Sequence, residues 1–259
     1  MSADALNRIK AFWDGRALDA ALAQENVTLA DRNQRLLEIE VLLQYLPRGQ
    51  RILDVGCGNG FSTAIYAPFA QEIVGIDYSA AMIDRARSEH GHLPNVTFEV
   101  QDVLDLTFPR ASFDVAISQR CLINLATWEN QQQAIRHIAG VLKPGGCFFL
   151  QEGTQQGREA LNQARDTLGL SRMPVVPFNV DFDEQTLWSF IRRDFDVVEV
   201  RRFGMYDLIS RIVHPLLVSP AEPQYDAKIN DVARQVSAQL RGADELSREF
   251  SAFLRRKEQ

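Results

Sequence analysis

The sequence predicts an α/β fold: a doubly wound, mostly parallel sheet with helices on both faces. Short runs that are apolar nearly throughout, such as Arg51–Val55 and "EIVGID" at 72–77, alternate with stretches of helical periodicity. Strands of that kind are buried on both faces, and the helices between them supply the cover. A turn with glycine at every second position, Gly56, Gly58 and Gly60, closes the first run and opens a helix. With 259 residues the chain is long enough for one larger domain or at most two small ones.

Residues 31–46 place Leu36, Leu37, Ile39, Leu42, Leu43 and Leu46 at helical spacing, with Asp31 as the cap. After the first strand and its turn, "GFSTAIYAPFA" reads as a helix and 72–77 as the second strand. "SAAMIDRARSEHG" is a helix capped by Ser79 and stopped by Gly91. "NVTFEVQD" and "SFDVAISQ" are the third and fourth strands. "WENQQQAIRHIAGVL" is a helix ended by "KPGG", and "CFFLQEG" is the fifth strand. Beyond Gly153 the alternation loosens into the helical "REALNQARDTLGL", the two-proline loop "SRMPVVPFNVDF", the helix "DEQTLWSFIRR" and a sixth strand, "DFDVVEVRRF". Residues 204–247 hold two helical stretches around a proline-bearing loop, too long for a connection inside a compact sheet, and read as an added cap. "REFSAFLRRK" alternates weakly and is assigned as a last edge strand.

Hydrophobic residues make up 46% and charged residues 24% of the chain, which excludes disorder and collagen-like repeats. A net charge of −6 argues against a general affinity for nucleic acid. Three distant cysteines, Cys57, Cys121 and Cys147, lack metal-ligand spacing and are expected to be reduced thiols, with no metal site. Cys57, near a helix start, is either a thiol of lowered pKa or a small residue filling the turn. The N-terminus lacks the pattern of a signal peptide, and no run approaches the roughly 18 apolar residues of a membrane span. A soluble cytoplasmic protein with no membrane partner is expected.

A strand ending in an acid, a glycine turn, a helix and a second strand ending in Asp77 form the first half of a nucleotide-binding sheet. Ligands of such sheets lie beyond the carboxyl ends of the strands, where backbone N–H groups face them. Asp77 follows Gly56 by 21 residues, which sets a carboxylate beside the loop to receive ribose hydroxyls. The glycines are then expected to make room for an adenosine-containing ligand. A dinucleotide fingerprint would need its third glycine at position 61, which is Phe61, and no Gly-Lys-Ser/Thr follows for a phosphate loop.

In order and spacing, "LDVGCGNG", "VGIDYSAAMIDRAR", "VQDVLDL", "FDVAISQ" and "LKPGGCFFLQE" resemble the class I S-adenosylmethionine-dependent methyltransferases, over about residues 35–152. The resemblance implies a seven-stranded sheet of order 3-2-1-4-5-7-6 with the last strand antiparallel. It also implies S-adenosylmethionine as cofactor and S-adenosylhomocysteine as product. Asp54, Gly56, Gly58 and Gly60 would form the donor loop, Asp77 with Tyr78 beside it would take the ribose, and Met82 would lie against the adenine or simply be core. Asp102 and Val103 would meet the adenine edge, although Asp102 also suits a turn. Gln119 would sit near the methionine part. Arg35 would reach the donor carboxylate or face solvent. Relatives fold an N-terminal segment over the donor, so Trp13 and Arg16 in "FWDGRA" would touch donor or acceptor, unless Trp13 is core.

The resemblance divides the chain into an N-terminal helical lid (1–34), a Rossmann-like donor-binding domain (35–203), a helical cap over the acceptor site (204–247) and a terminal strand (248–259). Methyl transfer from a sulfonium is an in-line displacement in which holding the nucleophile close and dehydrated does much of the work. A hydroxyl acceptor also benefits from a general base. Where small-molecule relatives carry histidines, this chain has Ile123 and Asn124; Asn124 orients a hydroxyl without taking its proton. Arg120 suits a substrate carboxylate or phosphate, or a salt bridge to a neighbouring helix. Glu152 either holds the acceptor or caps a turn. His214, in the cap with Tyr206 and Arg211, is the first choice for a base, or else a helix-end histidine bonded to a carbonyl. The expected activity is O-methylation of a small or medium polar metabolite such as a sugar, a glycan end or an anionic natural-product intermediate. The alternatives are N-methylation of a small amine and a donor-binding protein without turnover. A small-molecule acceptor, no nucleic acid and an open question of homodimerisation complete the reading.

Overall fold

The computed structural model describes residues 3–258. Its centre is one seven-stranded sheet of β1 (Arg51–Val55), β2 (Glu72–Asp77), β3 (Val96–Val100), β4 (Phe113–Gln119), β5 (Leu142–Gly153), β6 (Phe195–Arg202) and β7 (Glu249–Arg256). The spatial order is 3-2-1-4-5-7-6. Strands β1 to β5 pair in parallel, while β7 runs antiparallel to both β5 and β6. The terminal strand is therefore not an edge strand. It lies between β5 and β6, and its residues Glu249 to Leu254 are buried, which obscures a two-residue alternation. The edges are β3 and β6.

Helices α1 (Ala3–Leu18), α2 (Arg32–Leu43), α3 (Phe61–Tyr66), α4 (Ala80–His90), α5 (Trp128–Val141), α6 (Gln155–Thr167) and α7 (Glu184–Ile191) follow in chain order. Side-chain caps set the starts of several: Asp31 accepts from the Gln34 N–H, Ser79 from Met82, Thr127 from Asn130 and Thr154 from Gly157. One core face packs Ile135 and Ile138 of α5 and Leu187 and Phe190 of α7 onto Leu53, Ala116 and Phe148 of the sheet. The opposite face packs Leu37 and Val41 of α2 and Ile83 of α4 onto Ile52, Ile73 and Ile117. Since α2 begins at Arg32, it runs across the expected boundary between residues 34 and 35.

Residues 204–239 form α8 (Gly204–Asp207), wider π-type turns over Leu208–Val213, α9 (His214–Val218) and α10 (Lys228–Gln239). This cap does not cover the cavity at the carboxyl ends of the strands. Ala233 of α10 and Tyr206 of α8 join the core beside α2, and Arg234 pairs with Glu40 of α2. The cavity is covered instead by α1 and by the proline-bearing segment 171–181.

Candidate active site

The loop after β1 turns through three left-handed residues, Gly56, Gly58 and Gly60, with φ of +69°, +55° and +76°. Protein presses on each of them. A Cβ on Gly56 would stand 2.5 Å from Cys121 Sγ, one on Gly58 2.7 Å from Thr28 Cγ2, and one on Gly60 2.7 Å from the Phe98 ring. The glycines thus let three protein segments close on the loop, a packing requirement that the sequence reading assigned to the ligand. Gly56 and Gly58 line the cavity; Gly60 does not, because it lies beneath the loop against Phe98 and Ala86.

Asp77, at the tip of β2, clasps this loop. Its Oδ2 accepts the Gly58 N–H at 3.1 Å and its Oδ1 the Ser79 N–H at 2.9 Å. Burial raises its pKa to about 6, against the pull of those two N–H groups. Asp54 is raised to about 6 by the same cause and accepts the Thr63 hydroxyl at 2.5 Å. Burial also pushes the Cys57 and Cys121 thiols well up, so Cys57 fills the turn as a neutral thiol.

A cavity of about 350 Å³ opens above the loop. Asp54, Asp77, Tyr78, Met82, Asp102, Val103, Gln119, Arg35 and Trp13 all line it. Asp102 also caps a turn, accepting the Leu104 N–H at 2.8 Å. Gln119 is fixed by the Tyr66 hydroxyl at 2.8 Å and by donating to Gln151 at 2.9 Å. Arg35 is buried; it donates to Thr28 Oγ1, stands over the Phe61 ring at 5.4 Å, and meets no carboxylate within salt-bridge distance among the described residues. Burial, with help from Arg120, lowers its pKa to about 9, which leaves it a cation at neutral pH.

Over the cavity, α1 is fastened from several sides. Ser79 donates to Asp14 at 2.5 Å, and Arg85 donates to the carbonyls of Ala17, Asp19 and Leu22. Arg16 lines the cavity but spends its donors on the carbonyls of Asn26 and Val27, both at 2.6 Å. Phe12, Trp13 and Phe178 form an aromatic cluster joining α1 to segment 171–181, with Phe12 and Phe178 centroids 4.9 Å apart.

The acceptor candidates separate sharply. Asn124 lines the cavity; its Nδ2 donates to the Arg120 carbonyl at 2.7 Å, while its Oδ1 is buried with no partner. Arg120 also lines the cavity, in a left-handed conformation (φ +51°), but its guanidinium is committed to Glu38 and, at 3.2 Å, to Glu249. Burial opposes its charge, yet the two carboxylates outweigh that and raise its pKa. Burial raises the carboxyl of Glu38; Glu249 is held down by Arg120 and Arg248 despite being buried. The salt bridge is the role in which the structure places Arg120.

Glu152 lies behind the wall. Its carboxylate accepts the Leu122 N–H at 2.8 Å and the Ile123 N–H at 3.4 Å, so it holds the turn Leu122–Asn124 rather than a ligand. Tyr206, Arg211 and His214 do not line the cavity. The Tyr206 hydroxyl donates to Asp31 (2.7 and 2.9 Å), Arg211 pairs with Asp31 and Gln34, and His214 is buried within the cap. A substrate-facing role for these three and a base at His214 are therefore corrected: Tyr206 and Arg211 are turned to Asp31 at the start of α2. Leu6, Phe12, Leu29, Leu125, Val176, Phe178 and Asn179 also line the cavity and were not foreseen. Apolar residues within the proline-rich loop were the available signal for the last group.

Residues 52–146 match the family described as "Methyltransferase domain". A probable S-adenosylmethionine-dependent methyltransferase of Mycolicibacterium smegmatis is 29% identical over 154 residues, 58% of this chain and 54% of that protein. The 27-O-demethylrifamycin SV methyltransferase of Amycolatopsis mediterranei is 33% identical over 144 residues, 54% of this chain and 48% of that one. The chain thus spans about half the length of these curated relatives. The same fold occurs in the N-methyltransferase NodS from Bradyrhizobium japonicum, solved with S-adenosylhomocysteine, at a TM-score of 0.59 and 16% identity over 97% of this chain and 99% of that one. Among the described residues no helix is long and apolar enough to cross a membrane, and no cluster of metal-ligating side chains occurs.

Proposed function

We infer that this chain, which belongs to the class I S-adenosylmethionine-dependent methyltransferases, methylates a hydroxyl on a small acceptor with a largely apolar body. The residues present suit the donor. Arg35 is a buried cation without an acidic partner, fit for a carboxylate. Asp77 offers a carboxylate for the ribose hydroxyls, Met82 an apolar surface, and Asp102 and Val103 polar groups for the adenine edge. When bound, S-adenosylmethionine supplies an electrophilic methyl group.

The single observation that carries the acceptor reading is the Oδ1 of Asn124, a residue that lines the cavity, which has no partner among the described residues. A buried acceptor left unpaired costs roughly 1–3 kcal/mol, which a ligand O–H or N–H recovers. The carboxylates lining the cavity, Asp54, Asp77 and Asp102, stand at the donor loop and strand tips. An amine must be neutral to attack the methyl group, so it needs no counter-ion and can donate to this oxygen as a hydroxyl can; the preference for oxygen comes from the relatives, not from the pairing. The apolar wall of Ile123, Leu125 and Phe178 favours an apolar body over the sugar or anion expected from the sequence. A relative named for acting on 27-O-demethylrifamycin SV agrees with O-methylation.

Titration with S-adenosylhomocysteine, followed by a mass-spectrometric screen of phenols, alcohols and amines with S-adenosylmethionine, tests this reading. Methylated phenols or alcohols are expected, and Asn124→Leu should cut their turnover about tenfold while leaving S-adenosylhomocysteine affinity unchanged. Methylated amines alone would overturn the choice of oxygen. Donor binding with no turnover of any acceptor would favour a binding protein.

A further inference from the structure

We propose that the acceptor carries an extended apolar chain, and that this chain leaves the cavity through a rim formed by α1 and segment 171–181. The proposal rests on the methyltransferase reading above and specifies its substrate class. Phe12 and Val176 line the cavity and are also 44% and 40% exposed, so each faces both the interior and solvent. Val175, next to Val176 in the chain, is 67% exposed, and Leu6 and Phe178 are further apolar residues of the lining. Single exposed apolar side chains need no explanation, but a group of them continuous with an apolar cavity marks a binding surface.

Polar and apolar lining residues come from different parts of the chain. Asp77 stands at the tip of β2 beside the glycine loop and Asn124 in the turn after β4, whereas the apolar Phe12, Val176 and Phe178 come from α1 and segment 171–181. A molecule that fits this lining has a hydroxyl end and a hydrocarbon chain. Segment 171–181 owes its path to Pro174 and Pro177 rather than to regular structure, and the Phe12–Phe178 contact ties it to α1. An alkyl or prenyl chain crossing there would meet these rings and Val176.

The test uses the full chain loaded with S-adenosylhomocysteine and a series of 4-alkylphenols from methyl to heptyl, titrated calorimetrically. Affinity should rise about fourfold with each added methylene. Val176→Asp should flatten that slope, with a circular dichroism spectrum and unfolding midpoint like the wild type reporting that the variant is folded. Val175→Asp, outside the cavity lining, should weaken only the longer members while leaving S-adenosylhomocysteine affinity within about twofold. An affinity indifferent to chain length, or heptylphenol failing to bind the loaded protein, would overturn the proposal. So would a flat series accompanied by a dimer that Val176→Asp converts to monomer, since the rim would then be a self-association surface. Loss of S-adenosylhomocysteine binding by the wild-type protein would instead sink the methyltransferase reading on which the proposal stands.

Discussion

Asp77 shows how one side chain is asked for two opposed things. Folding wants it neutral, because burial raises its pKa to about 6 against the support of two N–H groups and the Lys10 cation. The hold on ribose hydroxyls proposed above wants it ionised. In the ligand-free protein the folded state keeps a proton that the unfolded chain has lost between pH of about 4 and 6, so this group's stabilisation is present below pH 4 and is lost as pH rises through 6. Donor affinity should move the other way. S-adenosylhomocysteine binding, followed calorimetrically from pH 5 to 8, should be flat above pH 6 and fall toward tenfold per unit below it. Asp77→Asn should bind weakly with no such break; a wild-type profile flat down to pH 5 would refute the role. Asp77 and the glycine spacing were legible in the sequence because strand, turn and strand are local, and a fixed number of residues fixes the geometry. That Cys121, Thr28 and Phe98 supply the pressure on the glycines was not legible, since those contacts are made by segments distant in the chain.

At the scale of elements, Arg120 joins three of them. It extends from the end of β4 to Glu38 on α2 and Glu249 on β7, and both carboxyls are buried. Removing one member of such a cluster leaves buried charge without compensation, at a cost of about 3–5 kcal/mol. Arg120→Ala should lower urea-unfolding stability by that amount, and Arg120→Ala combined with Glu249→Gln should recover part of it. A loss of turnover with stability unchanged would restore Arg120 to the substrate. The sequence offered this arginine equally as an anion site or a salt bridge. The choice depends on where α2 and β7 pack, which residue types near position 120 do not encode. His214, Arg211 and Tyr206 were misjudged for a related reason. Polar residues at helical spacing show that a face is special without showing what it faces, and Asp31 and Gln34 of α2 lay far away in the chain.

Over the whole molecule, the sheet was the legible part and its covers were not. Apolar runs report burial on both faces, so five parallel strands and their helices could be read in order, and the family resemblance supplied the strand order. The weak alternation of β7 gave no sign that it lies inside the sheet. The lid is held by an apolar cluster of Ala17, Val27 and Met82 and by donors reaching its carbonyls, and Arg85 of α4 serves three of them. Arg85→Ala should therefore speed amide exchange in residues 3–30 by about tenfold and weaken S-adenosylhomocysteine binding, while the global unfolding midpoint stays nearly constant. A fall in the global midpoint without faster local exchange would show the lid to be part of the cooperative core.

The place of β7 bears on how the protein is made. β5 and β6 leave the ribosome before the strand that separates them, and during synthesis each has a free edge facing where β7 will come. Open apolar edges are the surfaces on which nascent chains stick to one another. Until β7 arrives, Arg120 also lacks Glu249, one of its two carboxylate partners. The part of the sheet that carries the glycine loop, β1 to β4, can form early in translation, whereas the buried ion cluster around Arg120 is completed only when residue 249 has emerged.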